Sequence, residues 1–321
     1  MPIQTFVAAL LLTLACAGHA QTQAWPNKPV RIVTAFGAGS ASDIVARMLA
    51  EELQAAFRQP FVVDNKPGAS GILAADAVAK SPADGYTLFL STNTAHSVNP
   101  HLFKKLPYDP IADFTPIARI CFFPFALAVN ANLPVKTVAE LVALGRSAPS
   151  KMSYAYGNST GQIAGAAFTS LTRMDATAIP YKSTPQALTD LIGGQVSFLF
   201  VDLASSRPHW QAGRLRLLAL SSERSSAQVP DVPPLAVAAN LPGFDLSAWV
   251  GMLGPAGLPP EITSRVGEQI IRALGKKEIS DKLIALGADV APAPAAELER
   301  YMREQLVAWG RKVKDAGIAP E

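Results

Sequence analysis

Short apolar runs alternate with amphipathic stretches through most of the chain, and this alternation predicts an α/β fold. The run VRIVTAF at 30–36 is almost wholly apolar, as expected for a buried strand. In the next stretch, 40–57, apolar side chains recur every three or four residues, which places them on one face of a helix. A second series of strands and helices begins near residue 137. Alternation of this kind is typical of sheets flanked by helices.

The predicted elements form two series and a helical tail. Strands are expected at 30–36, 61–65, 86–92, 122–130, 151–156, 175–181, 196–202 and 215–222, with a short one within 248–260. Helices are expected at 40–57, 71–80, 137–147, 160–173 and 184–194, and near 260–274, 277–286 and 294–316. Pro124 interrupts the fourth strand, and proline cannot donate to a sheet ladder. An edge strand or a crossing between lobes is therefore expected there.

The two series predict two lobes with a cleft between them. A chain of 321 residues is long enough for two domains of roughly 100–200 residues each. We expect lobe 1 to comprise 21–123 with 223–321, and lobe 2 to comprise 124–222. The stretch after 223 is rich in Pro, Ser and Ala and is typical of a surface connection. The strand at 248–254 is a candidate for crossing back to lobe 2.

The first twenty residues have the pattern of an export signal. An apolar stretch of eleven residues, 6–16, is too short to span a membrane, and GHA at 18–20 fits cleavage after Ala20. The n-region MPIQT carries no Lys or Arg, which departs from the usual signal. A lipid anchor on Cys16 is the alternative, although Thr13 stands where a Leu is expected. We expect a soluble periplasmic protein.

Composition excludes several other classes. Hydrophobic residues make up 49% and charged residues 17%, which is a globular composition, and the net charge is +3. The basic residues are scattered, so no nucleic-acid-binding surface is indicated. After cleavage one cysteine remains, Cys121, which cannot form an internal disulfide and is expected to be a buried thiol. C-x-x-C, H-E-x-x-H and P-loop motifs are absent from the sequence, so no metal or cofactor is expected.

Two glycine-containing loops are the strongest candidates for chemistry. AFGAGSASD at 35–43 nearly matches the dinucleotide pattern G-x-G-x-x-G, with Asp64 where a ribose-binding acid would fall, but Ser42 replaces the third glycine. GNSTG at 157–161 matches G-x-S-x-G, the pattern of a nucleophile elbow. Each loop follows a strand and opens a helix, so each offers free N–H groups and the positive end of a helix dipole. Two such loops facing each other bind an organic acid without a lysine or arginine. The polar turn at 91–100 can line the same cleft.

A secreted serine hydrolase is the alternative function. Ser159, Asp202 and His209 follow the chain order of α/β-hydrolases. However, Asp202 and His209 are only seven residues apart, whereas that fold supplies its acid and histidine from different strand ends. His209 is more simply explained as a helix-surface residue beside Trp210.

Taken together, the segments resemble a known family. WPNKPVRIVTAFGAGSASDIVARMLA, VVDNKPGASGILAADAVAKSPADGYTLFLSTN, IPYKSTPQALTDLIGGQVSFLFVDL and LPGFDLSAWVGMLGPAGLP are similar, in this order, to the solute-binding receptors of tripartite tricarboxylate transporters, also called Bug-type receptors. The resemblance runs from about Trp25 to Ala316. It implies a type II-like periplasmic-binding-protein fold, with a sheet and flanking helices in each lobe, and closure on a carboxylated solute in the intervening cleft.

The resemblance also implies which residues meet the ligand. These are Phe36, Gly37, Gly39, Ser40 and Ser42 in the first loop, Thr92 and Asn93 after the third strand, Gly157, Asn158, Ser159 and Thr160 in the second loop, and Asp202, which in amino-acid-binding members can meet a ligand amine. The first loop departs from the family pattern F-x-P-G-G-x-x-D, and Tyr156 stands at the second loop where a small residue is common.

The ligand and the membrane partner stay open at this level. Dicarboxylates, tricarboxylates, aromatic acids and amino acids all fit the resemblance. An aromatic acid is expected to stack on aromatic side chains, for which the candidates are Phe36, Phe122, Phe123, Phe125 and Tyr156, although a core role is the simpler expectation for most of them. The expected partners are the permease subunits of the transporter or a membrane sensor kinase, and we expect a monomer.

Overall fold

The computed structural model describes residues 25–147, 152–222, 225–226 and 228–320. The expected signal peptide and its cleavage site, with Cys16, lie outside the described residues. In the parts of the chain that the structure describes, no helix combines the length and apolar character needed to span a bilayer.

Strands and helices alternate much as the sequence pattern predicts. The strands are β1 (Val30–Thr34), β2 (Phe61–Asn65), β3 (Thr87–Thr92), β4 (Phe114–Asn130), β5 (Ser153–Tyr156), β6 (Thr177–Pro180), β7 (Phe198–Asp202), β8 (Leu215–Leu220), β9 (Ser247–Pro255) and β10 (Asp289–Pro294). The helices are α1 (Ala41–Phe57), α2 (Ile72–Ala79), α3 (Asn99–Leu102), α4 (Val138–Ser147), α5 (Ser159–Thr172), α6 (Thr184–Ile192), α7 (Leu203–Gln211), α8 (Leu235–Ala238), α9 (Pro260–Gly275), α10 (Lys277–Ala285) and α11 (Ala295–Asp315). A π-helical segment, Thr94–Val98, leads from β3 into α3.

The pattern missed several of these elements. The short helices α3 and α8 and the strand β10 were not predicted; for α7, which follows β7 directly, only a helical setting of His209 was expected, without bounds. β4 begins at Phe114 rather than at 122. These elements are short, contain proline or lack a clear apolar period, so local sequence carries little signal for them.

The first sheet has the strand order β2-β1-β3-β9-β4, with β10 on the other side of β4. β1 pairs in parallel with β2 and β3, whereas β9 is antiparallel to both β3 and β4. The second sheet has the order β8-β4-β7-β5-β6, with β5 parallel to β6 and β7. Each lobe is therefore a mixed sheet flanked by helices.

The strand β4 belongs to both sheets and crosses between the lobes at its proline. Pro124 is paired with Ser247 in the first sheet, and the next residue, Phe125, is paired with Asp202 in the second. The chain returns at the start of β9, where Ser247 follows Leu246. A proline at this point removes no ladder bond, because the strand changes partners there.

Ser221 ties the two crossings together. Its hydroxyl accepts a hydrogen bond from the Phe125 N–H at 2.9 Å and donates to the Leu246 carbonyl at 2.5 Å. Its own N–H donates to the Phe125 carbonyl at 2.6 Å. Ser221 is fully buried, so these bonds are shielded from water.

The lobe division differs from the expected one in two places. Residues before β9 pack on lobe 2: Leu235, Phe244 and Leu246 lie in its core, and the Phe244 ring is 6.0 Å from that of Phe200. The second boundary therefore lies near 246, not at 222. The strand expected to cross back at 248–254 instead stays in the first sheet, paired with β3 and β4.

The C-terminal helix α11 packs on both lobes. Leu298 and Met302, near its start, lie in a core cluster of lobe 1, while Trp309 and Val313 lie in the main core cluster of lobe 2. The expectation for Cys121 is confirmed, since the thiol is unpaired and fully buried in the core of lobe 1.

Candidate ligand-binding cleft

A narrow cleft with a cavity volume of about 40 Å³ lies where the two sheets meet. Its walls come from the first turn after β1, the end of β3, the crossing strands, and the N-termini of α5 and α6. The lining residues are Phe36, Ser40, Ala41, Ser42, Thr92, Asn93, Thr94, Phe123, Phe125, Asn158, Thr160, Thr184, Asp202, Ala248 and Val250. The lining therefore combines apolar side chains with hydroxyl and amide groups.

The first loop is held in shape by the start of α1. Ser40 is the N-cap of α1, and its hydroxyl accepts from the Asp43 N–H at 3.3 Å. Gly39 has φ of +81°, a conformation that favours glycine, and its N–H donates to Asp43 Oδ2 at 3.0 Å. These bonds position Ser40 and Ser42 at the cleft.

Asn65 and Asp43 form a hydrogen-bond network behind this loop. The sequence analysis did not predict this network. The Asn65 amide donates to the Phe36 carbonyl at 2.9 Å and to Asp43 Oδ1 at 3.0 Å. Burial tends to raise the pKa of Asp43, but hydrogen bonds from Arg47, Gly39 and Asn65 outweigh it and lower the pKa below its ordinary value. Asp43 is therefore ionised. These contacts join residues 22 to 29 positions apart, so the local pattern gives no signal for them.

The second loop is the N-terminus of α5. Asn158 is the N-cap, and its side-chain oxygen accepts from the Gly161 N–H at 2.9 Å. Its amide nitrogen donates to Thr184 Oγ1 at 3.2 Å, which links the N-termini of α5 and α6. Gly157 supports this junction: a Cβ there would lie 2.2 Å from the Thr184 nitrogen, so only glycine allows the close approach.

Asn93 connects the two lobes across the cleft. It is fully buried, and its Nδ2 donates to Thr160 Oγ1 at 2.8 Å. In the part of the chain that the structure describes, Asn93 Oδ1 has no hydrogen-bond partner. Thr92, the preceding residue, accepts a bond from the Thr94 N–H at 3.3 Å.

The residues of the alternative hydrolase are engaged elsewhere. The Ser159 hydroxyl donates to Asn99 Oδ1 at 2.8 Å and is fully buried. Asp202 is the N-cap of α7, and its two carboxylate oxygens accept from the N–H and the hydroxyl of Ser205. His209 lies on α7 and is not among the described residues that line the cleft. Among the bonds of the described residues, none assembles these three side chains into a triad.

Asp202 nevertheless lies at the cleft in an unusual electrostatic setting. Burial raises the pKa of this carboxyl above its ordinary value, against the opposing effect of the two Ser205 donors. The positive end of the α7 dipole is thus already occupied by a side chain of the protein itself.

The structure brings most of the sequence-predicted residues to the cleft, but not all. Those that line it are Phe36, Ser40, Ser42, Thr92, Asn93, Asn158, Thr160 and Asp202. Gly37, Gly39, Gly157 and Ser159 belong to the same loops without lining the cleft. Tyr156 lies with Gly157 at a separate groove. Of the other aromatic candidates, Phe123 and Phe125 face the cleft, whereas the Phe122 ring packs 5.7 Å from that of Tyr301.

Sequence reasoning also missed part of the lining. Thr184 has a recognisable signal, because it opens a helix with Pro185 at the first turn. Ala41 and Thr94 fall within the two stretches, 35–43 and 91–100, that the sequence pattern indicated, whereas Ala248 and Val250 have no signal and only the packing of the lobes brings them to the cleft.

The electrostatics of the cleft come from helix ends rather than side-chain cations. Among the described residues that line it there is no lysine or arginine. Instead, the N-termini of α1, α5 and α6 reach it through Ser40, Asn158 and Thr184. Helix N-termini carry partial positive charge and unpaired N–H groups, so their convergence creates a site for an anion.

Fold and cleft together define a two-lobed solute-binding receptor, and comparison with known proteins agrees. R. palustris Rpa4515 with adipate matches with a TM-score of 0.90 and 34% identity, over 92% of this chain and 100% of that one. MatC (Rpa3494) from Rhodopseudomonas palustris with bound malate matches with a TM-score of 0.85 and 30% identity, over 90% and 100% of the two chains.

Sequence relatives point the same way. A UPF0065 protein of Bordetella bronchiseptica is 36% identical over 325 residues, which cover 99% of this chain and 94% of its own length. Protein BugT of Bordetella pertussis is 30% identical over 314 residues, with 97% and 96% covered. The family described as tripartite tricarboxylate transporter family receptor matches residues 45–318.

The chain belongs to this receptor family. Its members are periplasmic solute-binding receptors and not enzymes, and nothing in the comparisons supports a serine hydrolase. The resemblance recognised in the sequence and the two-lobed fold class are both confirmed.

Proposed function

We propose that this receptor captures a small carboxylated solute in the cleft and presents it to the permease subunits of a tripartite tricarboxylate-type uptake system. The observation that carries the proposal is the convergence of three helix N-termini on a cleft whose described lining has no lysine or arginine. Such a site stabilises a carboxylate through N–H donors and hydroxyls, which favour charge-assisted hydrogen bonds.

The ligand carboxylate is proposed to sit against the starts of α1, α5 and α6. Side chains of Ser40, Ser42, Asn158, Thr160 and Thr184 supply hydroxyl and amide groups there. Ser159 supports the second loop from behind, because it does not line the cleft and its hydroxyl is bonded to Asn99. Gly37, Gly39 and Gly157 act by shaping the loops, and Tyr156 by packing behind the second loop. Asp202 accepts the Ser205 donors at the N-terminus of α7, so that helix end is not offered to the ligand carboxylate.

The carbon skeleton of the ligand is proposed to pack against the apolar side chains of the lining, which are Phe36, Phe123, Phe125, Ala248 and Val250. An aliphatic or aromatic carbon chain buries apolar area there, which favours binding by roughly 25 cal/mol per Å². The adipate and malate in the two solved relatives make dicarboxylates the first class to test, ahead of tricarboxylates, aromatic acids and amino acids.

Export and partners complete the proposal. We expect residues 1–20 to direct the chain to the periplasm and to be removed there. The monomeric receptor then delivers solute to the permease, or in its loaded form contacts a membrane sensor kinase. Deleting the permease genes and measuring solute uptake separates these two partners.

Calorimetry on the mature chain tests the proposal. A panel of mono-, di- and tricarboxylates is compared with the corresponding uncharged amides, and we expect binding for at least one acid and not for its amide. A Kd near 1 μM corresponds to about −8 kcal/mol. No binding by any carboxylate, or equal binding by acid and amide, would overturn the proposed function.

A matched pair of variants locates the site. Thr184→Val removes a hydroxyl from the first turn of α6 at the cleft. Thr263→Val makes the same change in the first turn of α9, where the side chain is half-buried, away from the cleft, and donates to the Pro259 carbonyl. We expect about 10-fold weaker binding in the first and unchanged binding in the second.

A further inference from the structure

Asn93 lines the cleft and carries an acceptor, its Oδ1, that is unpaired within the described part of the chain. The side chain is fully buried at the end of β3, and it lines the cleft. Its amide nitrogen Nδ2 donates a hydrogen bond to Thr160 Oγ1 of the opposite lobe at 2.8 Å. Over the described residues, nothing donates to its Oδ1. Buried amide oxygens are almost always hydrogen-bonded, because leaving one unpaired is costly.

The neighbouring polar side chains of the cleft are already engaged. Ser40 and Ser42 share a hydrogen bond, with their hydroxyl oxygens 3.2 Å apart. Thr92 accepts from the Thr94 N–H, and Asp202 accepts from Ser205. Among the described residues, Asn93 Oδ1 is thus an unpaired acceptor on a side chain whose amide nitrogen is held by Thr160. A second carboxylate oxygen cannot satisfy it, since both are acceptors.

We propose that Asn93 selects ligands that carry an O–H or N–H donor in addition to a carboxylate. The inference deepens the proposed function and rests on it. A donor on the ligand completes the hydrogen bonding of Oδ1, while Nδ2 holds Thr160 of the other lobe. The same amide therefore accepts from the ligand donor and joins the two lobes, which couples recognition of the donor to closure of the lobes. Hydroxy acids and amino acids are the two ligand classes with this chemistry.

Matched ligand series separate the classes. Succinate, malate and aspartate have the same chain length. At one carbon, succinate carries only hydrogen, malate a hydroxyl and aspartate an ammonium group. Glutarate, 2-hydroxyglutarate and glutamate form a second series of the same kind. In the series that fits the cleft, we expect a donor-bearing member to bind about 10-fold tighter than its plain diacid. Preference for the hydroxyl or for the ammonium member identifies the ligand class.

Variants show whether Asn93 is responsible. Asn93→Leu keeps the size of the side chain but removes the acceptor, and we expect the two members of a pair to bind equally. Thr160→Ser keeps the hydroxyl that orients the amide, so the preference is retained. Thr160→Val removes that hydroxyl and frees the amide to rotate, so the preference falls. If Asn93→Leu does not fold, the Thr160→Ser and Thr160→Val pair carries the test.

The outcomes also separate this inference from the proposed function. If carboxylates bind but no donor-bearing member exceeds its plain partner, the inference is overturned and the proposed function stands. If Asn93→Leu weakens both members of a pair equally, the amide faces a carboxylate oxygen and the inference is likewise overturned. If no carboxylate of any kind binds, both fall.

Discussion

The hydroxyl of Ser159 donates a hydrogen bond to Asn99 Oδ1 across 2.8 Å, and both residues are fully buried. Ser159 begins α5 in lobe 2, whereas Asn99 begins α3, which follows the third strand of lobe 1. The Asn99 amide nitrogen in turn donates to the Ser70 carbonyl at 3.0 Å. The serine of the G-x-S-x-G motif is therefore a bridge between lobes rather than a nucleophile.

This bridge predicts a stability effect for Ser159→Ala. The variant leaves Asn99 Oδ1 buried and unpaired, which costs about 1–3 kcal/mol of unfolding free energy. Because the Ser159 side chain does not line the cleft, affinity should change by less than about threefold. Urea unfolding and calorimetry measure the two effects, with exposed Ser264→Ala as the control. A large loss of affinity at unchanged stability would show instead that the hydroxyl contacts the ligand.

Gly157 is expected to be essential for packing of the second loop. A Cβ at this position would lie 2.2 Å from the Thr184 nitrogen and 2.3 Å from the Ser183 carbonyl carbon, and backbone atoms cannot move aside cheaply. Gly157→Ala should therefore cost about 1–3 kcal/mol or more and weaken ligand binding by displacing Thr184. Gly275→Ala is the matched control, because its Cβ meets nothing within 4 Å. Equal melting temperatures of the two variants would contradict the prediction.

Asp202 should make the protein less stable as pH rises. Its pKa is raised in the folded state, mainly by burial, so the native protein keeps this proton when the unfolded chain has lost it. Stability then falls with increasing pH between the ordinary aspartate pKa and the raised one. Asp202→Asn retains an acceptor for the Ser205 N–H and removes the titration. The stability of the variant relative to wild type should increase with pH across this window in urea unfolding; a constant difference would count against it.

His96 should make the protein less stable as pH falls, in contrast to Asp202. The ring is fully buried among Phe89, Phe114 and Trp249, and burial lowers its pKa to about 4 despite the bond from Nδ1 to the Pro110 carbonyl. In the unfolded chain, this histidine binds a proton below about pH 6.5, whereas in the native state it binds one only below about pH 4. Unfolding free energy should therefore drop by roughly 3 kcal/mol over this interval. His96→Gln should lose this slope, whatever its stability at pH 7; an unchanged slope would show that other groups cause it.

Ligand binding should bring the lobes together. The two strand crossings, at Pro124 and at Ser247, lie side by side and are joined through Ser221, which is the arrangement of a hinge. Small-angle scattering should give a smaller radius of gyration at saturating carboxylate than without it. The uncharged amide serves as the control ligand. A radius that stays constant at saturation would mean that the lobes do not close.

The sequence alone determined most of the longer strands and helices and the class of protein. Apolar periodicity located β1 and α1, and the helix expected at 137–147 is α4. Its start is a local capping box: Glu140 N–H donates to Thr137 Oγ1 at 3.2 Å, and Thr137 N–H donates to the Glu140 carboxylate at 3.3 Å. These features depend on residues within one helical turn of each other, so they can be read locally. The order of the characteristic segments identified the receptor family.

Only the tertiary structure decided what the side chains of the cleft do. Ser159 pairs with Asn99 and Asn93 with Thr160, over 60 and 67 positions, and Asp202 turns its carboxylate to its own helix rather than to a histidine. The hydrogen bond from Asn65 to the first loop, and the position of Phe123 and Phe125 at the cleft, also depend on tertiary packing. A hydroxyl or amide forms whichever hydrogen bond the packing of two sheets offers it, and that geometry depends on contacts distant in sequence.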